Sequence, residues 1–232
     1  MGLTSAQSFL RSHITSKEDM MILEKSPQKA AELAKRDIGT VYGRAEDCIR
    51  QSDLVIFAVK PQDTQLLFES IQPLIDPQQV FLSIMAGVKL STISESLGAT
   101  KVIRAMPNLP AQIGMGMTAF TSSDAVTRIE LVMVQNLLNT TGKTVYVEKE
   151  AAIDAATAIS GSGPAYVWFF MKSMMDAARD MGFSYSEAEL LVSQTFRGAI
   201  ELFNKTDFTC EEWIEKVCSR GGTTEAALDS YD

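Results

Sequence analysis

The sequence contains 232 residues, of which 46% are hydrophobic and 22% are charged, proportions typical of a folded globular protein. The formal net charge of −8 argues against a nucleic-acid-binding protein, because such proteins present a basic surface to the phosphate backbone. His13 is the only histidine, which argues against a Ser-His-Asp triad and against a metal site built from several histidines.

Two further features indicate the cellular compartment. No apolar run approaches the roughly 18 residues that a membrane-spanning helix needs, and no basic segment followed by an apolar one opens the sequence. The three cysteines are odd in number and lack the spacing of metal ligands, so we interpret them as free thiols. We therefore expect a cytoplasmic protein with neither membrane nor nucleic-acid partners.

The first part of the chain alternates helices and strands. "SAQSFLRSHI" has a helical pattern, "DMMILEKS" contains a short strand, and a second helix begins after Ser26 with Pro27 in its first turn. Three unbroken apolar runs follow, in "SDLVIFAVKP" (strand at residues 54–59), "QQVFLSIMAGV" and "KVIRAMPNLP". Runs without alternation are typical of parallel strands that are buried on both faces. With helices predicted at 62–75 and 89–97, the pattern indicates a doubly wound, Rossmann-like α/β sheet.

The chain changes character after "GKTVYVEKE". No further strand pattern occurs, and helices are predicted at 151–159, 163–181, 185–204 and 209–218. We therefore predict a dinucleotide-binding domain at 1–149 and an all-helical domain at 150–232. The helix after Pro164 is apolar almost all round, which indicates burial on every side, either inside a monomer or against a second copy of the chain.

Ligands of an open α/β sheet bind beyond the carboxyl ends of its strands, so the residues there are candidates. Glu24, Lys25 and Ser26 end one strand, where an acid favours a ribose hydroxyl and a cation or hydroxyl favours a 2′-phosphate. Lys60 follows the next strand, either as a solvated terminator or as a cation facing the cofactor. Asn108 lies on a stiff turn between two prolines, and its amide suits pairing with a carboxamide.

Two glycine-rich segments precede helices in the second half of the chain. "SGSGPA" places Ser162 or Gly163 as a cap before Pro164, and "GGTT" precedes "EAALDSY". We expect both to be helix starts whose free N–H groups bind an anion, although plain capping is the alternative interpretation.

Together the motifs "AVKP", "MPN", "SGSGPAY" and "GGTT", in this order and spacing, resemble the pyrroline-5-carboxylate reductase family over nearly the whole chain. The resemblance implies a Rossmann domain followed by a helical dimerisation domain, a homodimer or ring of dimers, and NADPH as the cofactor with NADH possible. Lys25, Ser26 and Arg44 favour NADPH, whereas Glu24 does not. The implied activity is reduction of 1-pyrroline-5-carboxylate to L-proline, the last step of proline biosynthesis.

The resemblance also implies roles for individual residues. It implies cofactor contacts by Lys25, Ser26, Ala58, Val59, Lys60, Pro61, Ala86 and Asn108. It implies substrate contacts by Ser160, Gly161, Ser162, Gly163, Gly222, Thr223 and Thr224. Among these, Thr224 and Ser162 are the catalytic candidates, with Thr224 nearest the ring nitrogen and the turn at 222–224 supplied by a partner subunit. No metal is implied.

The chain departs from the family pattern at both ends. It starts at the helix that usually follows a first strand and a glycine-rich turn, it ends soon after "GGTT", and Arg220 replaces a usual proline. We therefore expect a chain that lacks the first strand and the last helices. This leaves two alternatives to a working reductase: an inactive remnant that keeps the helical dimer surface but binds no cofactor, or a related dehydrogenase with another substrate.

Overall fold

The computed structural model describes residues 1–231, which form two compact units divided between Pro164 and Ala165. The strands of the first unit are β1 (Met21–Leu23), β2 (Thr40–Tyr42), β3 (Leu54–Phe57), β4 (Val80–Ser83), β5 (Val102–Met106), β6 (Gly116–Ser122) and β7 (Gly142–Tyr146). The helices up to the division are α1 (Gly2–Arg11), α2 (Pro27–Lys35), α3 (Thr64–Ile71), α4 (Leu90–Leu97), α5 (Arg128–Asn139) and α6 (Ala151–Ala156). The remaining helices are α7 (Gly163–Asp180), α8 (Tyr185–Asn204), α9 (Cys210–Val217) and α10 (Thr223–Leu228).

The strands form two separate sheets. A five-stranded sheet has the order β3-β4-β5-β6-β7, in which β3, β4 and β5 are parallel, β6 is antiparallel to β5, and β7 is parallel to β6. Strands β1 and β2 pair in parallel as a two-stranded sheet. The predicted Rossmann-like architecture is therefore observed. Strands β2 and β6 were not predicted, and β3 ends at Phe57, two residues before the predicted end.

The central strands of the five-stranded sheet are covered on both faces, as their continuous apolar runs predict. On one face, Phe81 of β4 packs in a cluster with Phe68 of α3 and Leu97 of α4. On the other face, Leu82 of β4 packs in a cluster with Leu138 of α5. Alternate residues of one strand thus serve opposite faces, and covering a sheet with helices on both sides is the doubly wound arrangement.

The helices after β7 agree closely with the prediction. The predicted helix 151–159 is α6 continued by a π-helical turn, Thr157–Gly161, and the next three predicted helices are α7, α8 and α9. Capping boxes begin α8 at Ser184 and α9 at Thr209, where a Glu three residues later completes each box. Within residues 1–231, β7 is the last strand. The domain boundary at residue 149 stays a prediction.

Helix α7 is apolar almost all round, yet none of its residues is buried within the single chain. Trp168, Phe169 and Phe170 are 51%, 67% and 58% exposed. Exposed aromatic side chains in a group of this kind are typical of interaction surfaces. No helix in the described part of the chain is both long enough and apolar enough to span a membrane.

Candidate active site

The residues that follow three parallel strands lie along one edge of the main sheet. The interiors of β3, β4 and β5 are largely buried, whereas Ala58, Val59, Lys60 and Pro61 after β3 and Ala86 after β4 are exposed. Because parallel strands end at the same edge, the predicted cofactor residues of these segments share that edge. Because Ala58 and Ala86 are small, the backbone at these positions is accessible to a ligand, and so is the positive charge of Lys60.

The start of α1 lies against the end of β3. A Cβ added at Gly2 would lie 2.7 Å from the Cβ of Ala58, so only a glycine permits this approach. Because of this approach, the positive end of the α1 dipole lies beside the exposed segment at 58–61. A helix start next to Lys60 suits a phosphate-bearing dinucleotide.

Glu24 turns back onto the chain at the end of β1. Its Oε1 accepts a hydrogen bond from the backbone N–H of Ser26 at 2.8 Å. Lys25 is exposed, and Ser26 is the N-cap of α2 but makes no side-chain capping bond. The acid that disfavours a 2′-phosphate is thus engaged with the main chain, whereas the lysine is solvent-accessible.

The 160–163 segment contains the start of α7 at Gly163, directly after a π-helical turn. The N–H of Ser162 donates to the carbonyl of Thr157 at 2.9 Å, in the π-helical turn that joins α6 to α7. Ser162 itself has helical backbone angles. The sequence predicts a helix start at Ser162 or Gly163, and α7 begins at Gly163 as predicted. The Ser162 N–H itself is bonded, so anion binding by the N–H groups after it stays a prediction. Single π turns are frequent at functional sites.

Asn108 and Ser160 are directly bonded. The Asn108 Nδ2 donates to the Ser160 carbonyl at 3.0 Å, and its Oδ1 accepts from the Met117 N–H at 2.9 Å. The Ser160 hydroxyl donates to the Ala156 carbonyl at 3.0 Å. Both polar atoms of the Asn108 side chain are thus in use within the protein, and its predicted contact with the cofactor stays a prediction.

The "GGTT" turn begins α10 in the second unit. Gly221 has a φ of +73°, which favours glycine, and a Cβ added at Gly222 would lie 2.6 Å from the Ser219 Oγ. Gly222 is the N-cap of α10 and offers no side-chain cap. The N–H of Gly221 donates to Glu225 at 2.6 Å. The N–H of Gly222 donates to the Ser219 carbonyl at 2.9 Å, so the N–H groups of both glycines are bonded within the protein, and anion binding at this turn stays a prediction.

One cluster escaped the sequence analysis. Arg104, in the middle of β5, is buried and pairs with Glu150 (Nη1 to Oε1, 2.9 Å) and Asp154 (Nη2 to Oδ1, 2.6 Å) of the α6 region. The available signal was a single arginine within the otherwise apolar run "VIRAM". A charge at such a position needs oppositely charged partners, and their identity depends on the fold.

Comparison with known proteins identifies the family. The pyrroline-5-carboxylate reductase dimerisation family matches residues 150–232, and the NADP oxidoreductase, coenzyme F420-dependent family matches residues 2–87. The chain is 34% identical to pyrroline-5-carboxylate reductase 2 of Bacillus subtilis, over 98% of this chain and 82% of that protein. The chain belongs to the pyrroline-5-carboxylate reductase family. The predicted resemblance is confirmed.

Other pyrroline-5-carboxylate reductases support the assignment. The enzyme of Aquifex aeolicus is 36% identical over 90% of this chain and 77% of its own length. The structure of a pyrroline-5-carboxylate reductase from Coxiella burnetii superposes with a TM-score of 0.89 at 25% identity, covering 99% of this chain and 86% of that one. The Plasmodium falciparum structure, which has NADP bound, gives 0.88 at 29% identity, covering 99% and 85%. The predicted fold class is confirmed by these reductase structures.

Proposed function

We propose that this chain reduces 1-pyrroline-5-carboxylate to L-proline with NADPH or NADH, the last step of proline biosynthesis. The observation that carries the proposal is the identity of 34% to a pyrroline-5-carboxylate reductase across 98% of the chain, which includes the "SGSGPA" and "GGTT" segments. A single histidine is compatible with the reaction, because the substrate imine needs a proton on nitrogen and a hydride on carbon but no strong general base.

The cofactor side of the proposed site is the exposed edge at the ends of β1, β3, β4 and β5. When bound, the reduced nicotinamide supplies the hydride that the imine carbon accepts. Ser26 and Lys25 would contact the adenosine ribose or its phosphate, and the segment at 58–61 would line the cofactor beside the start of α1. Because Glu24 is bonded to the Ser26 N–H, we propose NADPH as the preferred cofactor.

On the substrate side, we propose roles for the 160–163 segment of one chain and for the turn at 222–224 of a partner chain. The substrate carries a carboxylate, which the N–H groups at the start of α10 would hold. The hydroxyl of Thr224 would donate a hydrogen bond to the ring nitrogen and so favour its protonated, electrophilic form. The exposed Ser162 hydroxyl would orient the same ring. Holding the carboxylate and the nitrogen at once fixes the imine carbon for attack.

We propose that the chain acts as a homodimer, or a ring of dimers, built on α7. The exposed aromatic face of α7 supports this, and so does the match of residues 150–232 to a dimerisation family. The turn at 222–224 would then come from the partner subunit. The free thiols of Cys48, Cys210 and Cys218 suit a reducing, cytoplasmic location, which cell fractionation tests.

The experiment mixes the purified full chain with NADPH and pyrroline-5-carboxylate and follows both nicotinamide absorbance and proline formation. We expect stoichiometric loss of NADPH and gain of proline. No decay above the enzyme-free blank at high protein concentration would reject the reductase and leave the non-catalytic remnant. Decay with another imine or keto acid but not with this substrate would favour a related dehydrogenase.

A further inference from the structure

Arg104 is a buried charge in an apolar strand, with a side chain only 1% exposed. Its directly paired neighbours are Ser83 on β4 and Thr121 on β6, whose small side chains share its face of the sheet and leave space for the guanidinium. Taking such a charge out of water costs several kcal/mol, which ion pairs with the partly exposed Glu150 and Asp154 offset only in part. Fold stability alone therefore does not explain an arginine at this position.

The guanidinium fixes one short helix at two points. Glu150 is the N-cap of α6 and Asp154 lies one turn later, so the two ion pairs set both the position and the rotation of α6. The Glu150 Oε1 also accepts from the N–H of Leu90, the first residue of α4, at 2.8 Å. A helix of six residues has little stability of its own, so its placement depends on these contacts.

Helix α6 leads directly into the proposed substrate segment. The π-helical turn at Thr157–Gly161 continues α6 without a break. At its far end, Asn108 holds the Ser160 carbonyl, and a Cβ added at Gly161 would lie 3.1 Å from the Cε of Met106, the last residue of β5. The segment therefore lies against the end of β5. Arg104 fixes the helix before it by two ion pairs, and Asn108 fixes the segment itself by a hydrogen bond.

We infer that Arg104 is a positioning residue for the reduction: through Glu150 and Asp154 it holds α6, and with α6 the 160–163 segment, at the carboxyl end of β5. This inference rests on the proposed function and adds to it a residue that is too deeply buried to touch the substrate. Misplacing a substrate-orienting segment by about 1 Å can cost roughly 100-fold in rate, so the hold on α6 is of catalytic consequence.

The test compares R104M and D154N with K101M. Lys101 precedes β5 and pairs with Glu130 at 2.8 Å, with side chains 16% and 20% exposed, and this pair ties the strand to α5 and not to α6. It is a matched ion pair outside the proposed site. Asp154 is 57% exposed, so D154N is expected to fold even if R104M does not.

We expect R104M to lower kcat/KM for the imino acid by about 10- to 100-fold, and D154N to lower it by a smaller factor in the same direction. The dissociation constant for NADPH should stay within about twofold in both. R104K should recover part of the lost kcat/KM, because a lysine ammonium can pair with one of the two carboxylates but not with both. K101M should leave kcat/KM within about twofold while its melting temperature falls. An unchanged kcat/KM in R104M and D154N, or an equal fall in K101M, would overturn the inference.

Hydrogen exchange provides a readout independent of activity. Amides of Thr157–Gly161 and Ser162 should exchange at least about tenfold faster in R104M and D154N than in the wild type or K101M. If exchange is faster evenly over the whole chain, or is not faster at these amides, then Arg104 does not hold this segment in place. A wild-type chain that reduces no substrate rejects the proposed function by itself, and the exchange result then decides the role of Arg104 separately.

Discussion

The amide of Asn108 holds the carbonyl of Ser160 at 3.0 Å, and so joins the end of β5 to a residue 52 positions later in the chain. The same side chain accepts from the N–H of Met117. An asparagine can serve both partners because its oxygen accepts and its nitrogen donates.

N108D separates a positioning role from a cofactor contact. Aspartate keeps an oxygen for the Met117 N–H but replaces the donor to Ser160 with a second acceptor, which repels that carbonyl. We expect KM for the imino acid to rise about tenfold, because the hydrogen bond to the Ser160 carbonyl is lost and the 160–163 segment is held less firmly. The dissociation constant for NADPH, measured by fluorescence, should change little.

N139D is the matched control. The Asn139 Oδ1 accepts from the Thr144 hydroxyl at 2.8 Å on an exposed part of the chain, and aspartate keeps that bond. Its kinetics should resemble those of the wild type. If N108D weakens NADPH binding as much as it raises KM, Asn108 contacts the cofactor directly, as the sequence analysis predicts.

Thr224 should carry the proposed hydrogen bond to the substrate nitrogen. T224V removes the hydroxyl at almost constant volume, and we expect kcat to fall about 100-fold, within the range for a lost proton-directing group. T224S keeps the hydroxyl and should retain most of the activity. Steady-state kinetics at saturating NADPH measure both, and a T224V enzyme as fast as T224S would contradict the role.

Phe169 tests the proposed dimer surface. It is 67% exposed in the single chain, so F169E should disturb no packing within it but should place a charge in the apolar interface. Light scattering should show the mass falling from two chains to one. Activity should be lost as well, because in the proposed dimer the turn at 222–224 would come from the partner.

L66E is the control for that substitution. Leu66 on α3 is exposed to a similar extent, at 69%, and belongs to no proposed site. The L66E protein should remain dimeric and active. An F169E protein that scatters as the wild type does would place the interface elsewhere.

Glu130 gives a pH dependence of stability. The hydrogen bond from Lys101, followed by those from the Thr127 N–H and hydroxyl, holds the pKa of Glu130 below its usual value of 4.5. A carboxyl whose pKa is lower in the folded state stabilises the fold above its unfolded pKa, and this contribution is lost as the pH falls through the folded value. The affected window therefore lies below about pH 4.5.

E130Q keeps the capping hydrogen bonds of α5 but removes the charge. We expect its free energy of unfolding to be lower by about 1 kcal/mol at neutral pH. The difference from the wild type should shrink as the pH falls below the window. Chemical denaturation at several pH values measures this, and a constant difference across the acid range would contradict the assignment.

Much of the fold is readable from the sequence because local patterns and burial agree. The runs at β3, β4 and β5 are apolar without alternation, and they are buried on both faces. Helices α8 and α9 begin after Ser184 and Thr209, each with a glutamate three residues later. Such signals are short-range, so they can be found without knowledge of the tertiary structure.

The features that escaped prediction depend on partners distant in sequence. The glycines and proline of "SGSGPA" indicate a helix start, but whether the Ser162 N–H is free depends on the turn before it, where Thr157 accepts it. The role of Arg104 follows from Glu150 and Asp154, which lie about 50 residues later in the chain and beside it in the structure. A sequence pattern reveals helical or strand periodicity. The roles of the Ser162 N–H and of Arg104 depend instead on which acceptor lies close to each donor in the folded chain.

The shared oxygen of Glu150 has a consequence for how this protein can vary. One atom accepts from Arg104 and from the N–H of Leu90, so it joins β5, α4 and α6 at a single point. Aspartate would fall short by one methylene, and glutamine would bring an NH₂ group that competes for the same place. Substitution of Glu150 would therefore weaken its contacts with both Arg104 and the Leu90 N–H, whereas substitution of Asp154 would weaken only its contact with Arg104. Evolution should therefore tolerate substitutions at Asp154 more readily than at Glu150.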